Sequence, residues 1–486
     1  MLSKITQDSR TGSIHPRVAI SDLRDLLVSF HGKSTYGHWP KIQQILKAGE
    51  KDLIDRADEL HHPGRRSVIN EQDVETLRHH LDDLKPLLAP VRRLPNDTLA
   101  LIFEQVCLER RFIVGRRPFH LELASVCSHW CSVVYSMPSL WARFEIRCDE
   151  SSITLLHDIL ERSKGVLLDL YIDAYSREND SVFGVLQAHS TRWKTISVHG
   201  VDVESLFFHA NHPTYPALES LVYKALPSIA DVKRVISLSP KLRSLKFEWM
   251  FTPCERMPMT EHRTLRACSL KVERWDDELL DMQRFFESVT FPSLDTLCLD
   301  VENTSENIFW PASTMTAFVE RSGCHLTTLS ILAISISDED LSLFLLHIPS
   351  LMDLSLCDPR SRKADPYPLT NAFVSNLHAF RPSQLLLPNL RRLHLIFYYD
   401  FNETLILDMI VSRWLPDATY GKQVGVSGLE KVEIGMCLPR DAPEVDFTKF
   451  GPLKYLQGHG IDIYFTTYPE EWKHFRGAVP IHATRM

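Results

Sequence analysis

The 486-residue chain lacks any run of eighteen apolar residues, whereas a membrane-crossing helix needs roughly 20. Its opening stretch, MLSKITQDSRTGSIHPR, lacks the apolar core of a secretory signal. The ten cysteines contain no CxxC pair, which points to reduced thiols in the cytoplasm or nucleus rather than a disulfide framework. A basic surplus is missing as well. With 54 Lys and Arg against 62 Asp and Glu, the formal net charge is −8, which argues against nucleic acid or an anionic membrane as the main partner.

Signatures of chemistry are equally scarce. The 22 histidines show no HExxH spacing, and no GxSxG nucleophile turn occurs. The stretch His31-Gly32-Lys33-Ser34-Thr35 looks like the end of a phosphate-binding loop, but Leu27 stands where that loop needs its first glycine. Cys127, His129 and Cys131 lie close in sequence, yet positions i, i+2 and i+4 of a helix do not converge on one metal. The expectation is a chain with no catalytic residue, no metal and no cofactor.

What is present is a soluble composition, 44% hydrophobic, long enough for about three domains. Three helices open it. Ile20 to Val28 and Ile42 to Leu60 have helical spacing, and from Glu71 to Leu88 the residues Val74, Leu77, Leu81, Leu84 and Leu88 recur at steps of three and four. Pro86 should kink or end the third helix.

Between Pro90 and Trp141 lies PVRRLPNDTLALIFEQVCLER…LELASVCSHWCSVVYSMPSLW. Pro95 after Leu94 suits a first helical turn, where its missing N–H costs little. Asn96 and Asp97 add acceptors and negative charge at the same end. Leu99, Ile102, Phe103 and Val106 make one apolar face, and Leu123, Val126, Cys127 and Trp130 repeat the spacing on a second predicted helix. Two such stripes cannot bury each other completely in so short a segment, so some of this area needs a neighbour.

From about residue 150 a repeat takes over: Pro-x-Leu-x-x-Leu-x-apolar, as in PALESLVY at Pro216, PKLRSLKF at Pro240, PSLDTLCL at Pro292, PSLMDLSL at Pro349 and PNLRRLHL at Pro388. Copies without the proline start at Arg192, Thr264, His325 and Gly428. Their first apolar residues, Trp193, Leu218, Leu242, Leu265, Leu294, Leu326, Leu351, Leu390 and Leu429, are 23 to 39 residues apart, near the period of about 20–29 typical of leucine-rich repeats. Two apolar residues spaced by two face one side of a short strand, and the residue three before tucks the approach into the core. Helical spacing between copies, as at Ile229 to Leu238 and Leu341 to Ile348, completes a strand-turn-helix unit. The intervening strand positions should face solvent: Ser220, Val222 and Lys224; Ser244, Lys246 and Glu248; Ser269 and Lys271; Thr296, Cys298 and Asp300; Asp353, Ser355 and Cys357; Arg392, His394 and Ile396.

The segment at Pro90 to Trp141 resembles the F-box, the helical module that joins a substrate receptor to a cullin-type ubiquitin ligase. With the repeats, most of the chain is similar to fungal F-box receptors. The resemblance implies that Leu94, Pro95, Leu99, Ile102 and Phe103 touch a Skp-type (S-phase-kinase-associated) adaptor. It also implies that Val126, Cys127, Trp130, Leu140 and Trp141 form the module's supporting core. Two departures stand out. Asp97 replaces the usual glutamate, and the loop from Glu109 to His120, carrying Arg110, Arg111, Arg116 and Arg117, is longer than is common.

The expected fold class is α/β: a helical N-terminal region and F-box helices followed by an irregular leucine-rich-repeat solenoid with a parallel sheet. The expected divisions are a lead-in over 1–86, the F-box over 87–145, the repeats over 146–470 and a tail over 471–486. The implied function is substrate recognition within an SCF-type cullin–RING ubiquitin ligase. Its partners would be the adaptor, through it a cullin, and a target protein, but neither nucleic acid nor membrane. The alternative is a non-catalytic repeat scaffold whose F-box-like helices cap the solenoid, since repeat arrays need capped ends.

Overall fold

The computed structural model describes residues 17–61, 70–108, 110–147, 152–173, 180–200, 206–207, 214–224, 228–249, 258–273, 279–302, 309–359, 366–381, 385–398, 402–415, 418–438, 451–458, 460–469 and 482–485. Most of the predicted tail at 471–486 therefore lies outside the described residues. The chain divides into two compact units: Met1–Phe144 with Leu155–Val166, and Glu145–Thr154 with Leu167–Met486. No helix among the described residues is long and apolar enough to cross a membrane.

The first unit opens with α1 (Ile20–Phe30), α2 (Trp39–His61) and α3 (Glu71–Leu84). Their apolar stripes meet in one core of Leu23, Ile42, Leu46, Leu77, Leu81 and Leu84. A capping box starts α3: Asn70 Oδ1 accepts the Asp73 N–H at 2.8 Å, and the Asp73 carboxylate accepts the Asn70 N–H at 3.3 Å. Gly49 lets α2 approach α3, for a Cβ there would stand 2.4 Å from Leu81 Cδ2. Pro86 ends α3 by tightening the chain into a 3-10 turn, Lys85–Leu88. Leu87 of that turn belongs to the same core, so the lead-in runs without a break into the segment that begins at Pro90.

Next come α4 (Asn96–Leu108), the short strand β1 (Phe112–Ile113), α5 (Phe119–Ala124), α6 (Ser128–Tyr135) and the strand β2 (Arg143–Arg147), at which the units divide. Helix α7 (Ser152–Arg162) returns Leu156, Ile159 and Leu160 to buried positions. The single second helix expected from the spacing of Leu123, Val126, Cys127 and Trp130 is in fact two. Cys127 is extended, with φ −163° and ψ 166°, and caps α6 through its Sγ, which accepts the Trp130 N–H at 3.5 Å. The turn keeps the apolar spacing in phase, so periodicity alone could not reveal it.

The second unit is α/β and built on a large open sheet. Its strands are β3 (Leu168–Asp173), β4 (Trp193–His199), β5 (Ser220–Lys224), β6 (Ser244–Trp249), β7 (Thr260–Glu261), β8 (Ala267–Glu273), β9 (Val289–Thr290), β10 (Thr296–Glu302), β11 (Thr328–Leu332), β12 (Asp353–Cys357), β13 (Arg392–Phe397), β14 (Lys431–Leu438), β15 (Asp462–Pro469) and β16 (His482–Arg485). From β3 to β15 every sheet strand pairs in parallel with the next in chain order, and β7 and β9 form a separate small parallel pair. Strand β16 adds antiparallel at the edge.

Parallel neighbours require crossovers. Helices fill most of them: α8 (Asp180–Gln187), α9 (Ile229–Leu238), α10 (Leu279–Glu287), α11 (Ala312–Ser322), α12 (Asp338–Leu346), α13 (Asn371–Asn376), α14 (Glu403–Ser412), α15 (Ala418–Val424) and α16 (Gly451–Gln457). From α10 to α14 each helix packs on the next, so the helices form a row in the order of their strands.

The repeat residues lie in register across the sheet. Leu221, Leu245, Cys268, Leu297, Leu329, Leu354, Leu393, Val432 and Ile463 form one row of Cα neighbours. All are buried, as are the nine residues that open the copies, Trp193 through Leu429. Each such aliphatic side chain contributes about 1.5–3 kcal/mol of hydrophobic stabilisation. The prolines occupy the second position of a tight turn. Leu218 N–H donates to Tyr215 O at 3.2 Å across Pro216, and Leu242, Leu294, Leu351 and Leu390 repeat the bond. A fixed φ suits that position, and the absent proline N–H costs nothing there. After the turn one carbonyl serves two donors of the following copy: Glu219 O accepts from Arg243 N–H (2.8 Å) and Ser244 N–H (3.0 Å).

Two of the strand positions expected to face solvent do not. Cys357 and Ile396 are buried with Cys437, beneath Leu332, Tyr398 and Tyr468. Neighbouring strands bring apolar side chains to the same height here, so they cover one another. The side chain of Glu248 lies outside the described residues.

Candidate docking helix and arginine-lined cavity

The approach to α4 is held from the lead-in. Thr35 is buried, and its N–H donates to Arg92 O at 2.8 Å while its Oγ1 donates to Leu87 O at 3.1 Å. Gly32 O accepts the His129 N–H at 2.6 Å and Ser128 Oγ–H at 2.9 Å. Gly32 has φ +65°, and a Cβ there would stand 2.4 Å from Ser128 Oγ, so glycine suits both conformation and space. The His31–Thr35 stretch is thus a clasp between the lead-in and α6. The Arg93 guanidinium lies 4.9 Å over the Trp39 ring and donates to Leu88 O.

At the start of α4, Leu99 N–H donates to Pro95 O at 3.0 Å. The five residues expected to meet an adaptor separate by burial. Leu99 and Phe103 are buried, Phe103 with its ring 4.9 Å from Trp130 in an edge-on contact. Leu94 and Pro95 are half-buried. Ile102 is 43% exposed, beside Leu101 at 67%, and Val106 and Leu108 further along α4 are also open. Sequence reasoning passed over Leu101 and Leu108 because they lie off the i, i+3, i+4, i+7 stripe.

Of the residues expected to support them, Leu140 and Trp141 are buried, while Cys127 and Trp130 are half-buried. Val126 is 61% exposed, because it sits in the turn between α5 and α6 rather than on a helix face. The Trp141 ring is enclosed by His120 (4.5 Å between centroids), Tyr135 (5.6 Å), Phe112 (6.5 Å) and the Arg162 guanidinium (4.8 Å).

His120 is 3% exposed, and burial, reinforced by the Arg162 charge, pushes its pKa down to about 4. The neutral ring is therefore the folded form. Between about pH 6.5 and 4 the unfolded chain takes a proton that the folded one refuses. Stability from this group is complete above pH 6.5 and falls as pH drops toward 4, by roughly 3 kcal/mol in all. In His120→Phe this part of the acid sensitivity should vanish. Urea midpoints at pH 7 and pH 4.5 check it, and an unchanged slope in the variant would assign the sensitivity elsewhere.

Residues of the long loop line an open cavity of about 430 Å3 in the same unit. Arg110, Arg111, Arg116, Arg117 and Arg143 line it together with Glu104, Phe112 and His120. Arg110 lies 4.5 Å over the Phe119 ring, and Arg143 donates to Leu108 O at 2.6 Å.

On the solvent side of the sheet, Arg392 pairs with Asp353 at 2.8 Å and Lys431 with Glu433 at 2.7 Å. Cys298 lies between Ser269 and Ser330, both hydrogen-bonded to it, and burial raises its pKa. Among the described residues no group of His, Cys, Asp or Glu is arranged to hold a metal ion. The chain matches no protein-family model and no curated protein.

Proposed function

We propose that this chain is a non-catalytic substrate-recognition subunit of an SCF-type cullin–RING ubiquitin ligase, working in the cytoplasm or nucleus. Helix α4 docks on a Skp-type adaptor, which connects the chain to a cullin. The second unit is an irregular leucine-rich-repeat solenoid that holds a target protein. The ligase then works by proximity: holding the target beside the ubiquitin carrier raises effective concentration without a reacting group from this chain.

The observation that carries this reading is the set of exposed apolar side chains on α4. A helix opened by Leu94-Pro95 leaves Leu101, Ile102, Val106 and Leu108 exposed, apolar area that a partner protein could cover. Strands added one at a time in chain order, with a row of helices behind them, support the solenoid.

Co-purification of the full chain with a Skp-type adaptor tests the docking. Wild type should form a one-to-one complex. Leu101→Glu with Ile102→Glu should abolish it without altering the circular dichroism spectrum, since both residues are exposed. Adaptor retention by this variant would refute the docking surface. A well-folded wild type that binds no adaptor would favour a second reading, a repeat scaffold outside any ligase. The burial of Leu99 and Phe103 within the unit favours that reading, because these helices complete their core without a partner.

A further inference from the structure

Arginine cannot discharge at any working pH. Five arginines therefore bring permanent positive charge to one cavity, and Glu104 is the only carboxylate among its described lining residues. This concentration of positive charge stands in a chain whose formal net charge is −8, so it runs against the overall balance. Two of the five are held in place, Arg110 against Phe119 and Arg143 on Leu108 O, which pre-organises part of the ring. Deeper in the wall, His120 is buried between Phe112 and Trp141 and its Nε2 has no hydrogen-bond partner.

We propose that this cavity is a binding site for a small polyphosphorylated molecule. The ligand class rests on three features. A volume of about 430 Å3 suits a small molecule rather than a nucleic-acid duplex. Planar guanidinium forks match phosphate oxygens two at a time. Five of them exceed what a single phosphate can engage, so at least two phosphate groups share the site. Arg116 and Arg117, both exposed, meet the incoming ligand, while Arg110, over the Phe119 ring, and Arg143, on Leu108 O, form the fixed part. Occupancy adds negative charge beside the arginines and tightens the loop around β1 and α5.

Titration calorimetry of the full chain with inositol hexakisphosphate and inorganic tripolyphosphate, at fixed ionic strength, tests the site. Both probes should bind saturably, and sulfate should not compete at matched ionic strength. Arg116→Ala with Arg117→Ala should weaken binding at least about tenfold, a loss of roughly 1.4 kcal/mol, and leave the unfolding curve without ligand unchanged or shifted upward. Arg381→Ala with Arg391→Ala, on the second unit, should bind as wild type does. Absence of saturable binding to wild type would overturn the proposal. So would equal weakening by both double variants, which would mean general charge attraction. The measurement needs no adaptor, so it stands or falls independently of the docking helix.

Discussion

Replacing Arg413 by alanine should destabilise the C-terminal half of the sheet unit by on the order of 3–5 kcal/mol, from buried carbonyls left without donors at about 1–3 kcal/mol each and from the cavity opened. Arg413 comes directly after α14 and is fully buried. Its guanidinium donates from Nε to Leu377 O, from Nη1 to Leu387 O and from Nη2 to Leu386 O. Burial lowers its pKa to about 10, still far enough above neutrality to keep it charged. One of the carbonyls belongs to Leu387, whose φ of +52° is a left-handed conformation that a branched side chain disfavours. A side chain from the next crossover therefore braces the turn before β13, alongside the turn's own Leu390 N–H to Leu387 O bond. Alanine would take the arginine's donors from all three carbonyls, of which Leu387 O keeps the Leu390 N–H at 3.3 Å, and would leave a hole beside them.

Arg413→Met separates the two contributions. Methionine restores much of the volume but none of the donors, so it should remain well below wild type in urea denaturation. A methionine variant as stable as wild type would show that the arginine acts by filling space. Hydrogen exchange should localise the loss to β13, α14 and β14, with β3 to β6 still protected, because neighbouring units in such an array stabilise one another pairwise.

Trp141→Ala should cost the helical unit a comparable amount, about 3–5 kcal/mol. The ring supplies the common surface for His120, Tyr135, Phe112 and Arg162, contributed by α5, α6, β1 and α7. Its loss opens a cavity where four elements meet, and none of them can shift inward without leaving its other contacts. Trp141→Phe is the informative companion. Trp141 Nε1 is buried without a hydrogen-bond partner, so phenylalanine forfeits volume but no bond and should recover more than half of the stability. Thermal unfolding monitored by the fluorescence of the remaining tryptophans gives both values. If phenylalanine were as damaging as alanine, the indole nitrogen would have a role that the packing does not reveal.

The repeat copies were legible in the sequence because the same three positions, such as Leu218, Leu221 and Tyr223, turn inward in copy after copy. Helices α1 to α3 were legible from their spacing. The apolar stripe from Leu123 to Trp130 was less transparent, since a turn at Ser125–Cys127 preserves the phase of a continuous helix. At the docking helix the sequence singled out Leu99, Ile102 and Phe103 as one stripe. Packing then divided that stripe, taking Leu99 and Phe103 inward and leaving Ile102 with Leu101 outside.

By itself, the sequence determined which apolar residues turn inward on most strands and helices, because that burial depends on local periodicity. Only the tertiary structure decided the fate of the polar and charged groups. Arg413 reads as an ordinary surface arginine at a helix end, and His120 as one histidine of many. Arg110 to Arg117 read as a solvated loop. Whether such a group is desolvated, paired or set around a cavity depends on residues that only folding brings beside it. The energy of a charge depends on that surrounding dielectric and those partners rather than on its neighbours in sequence.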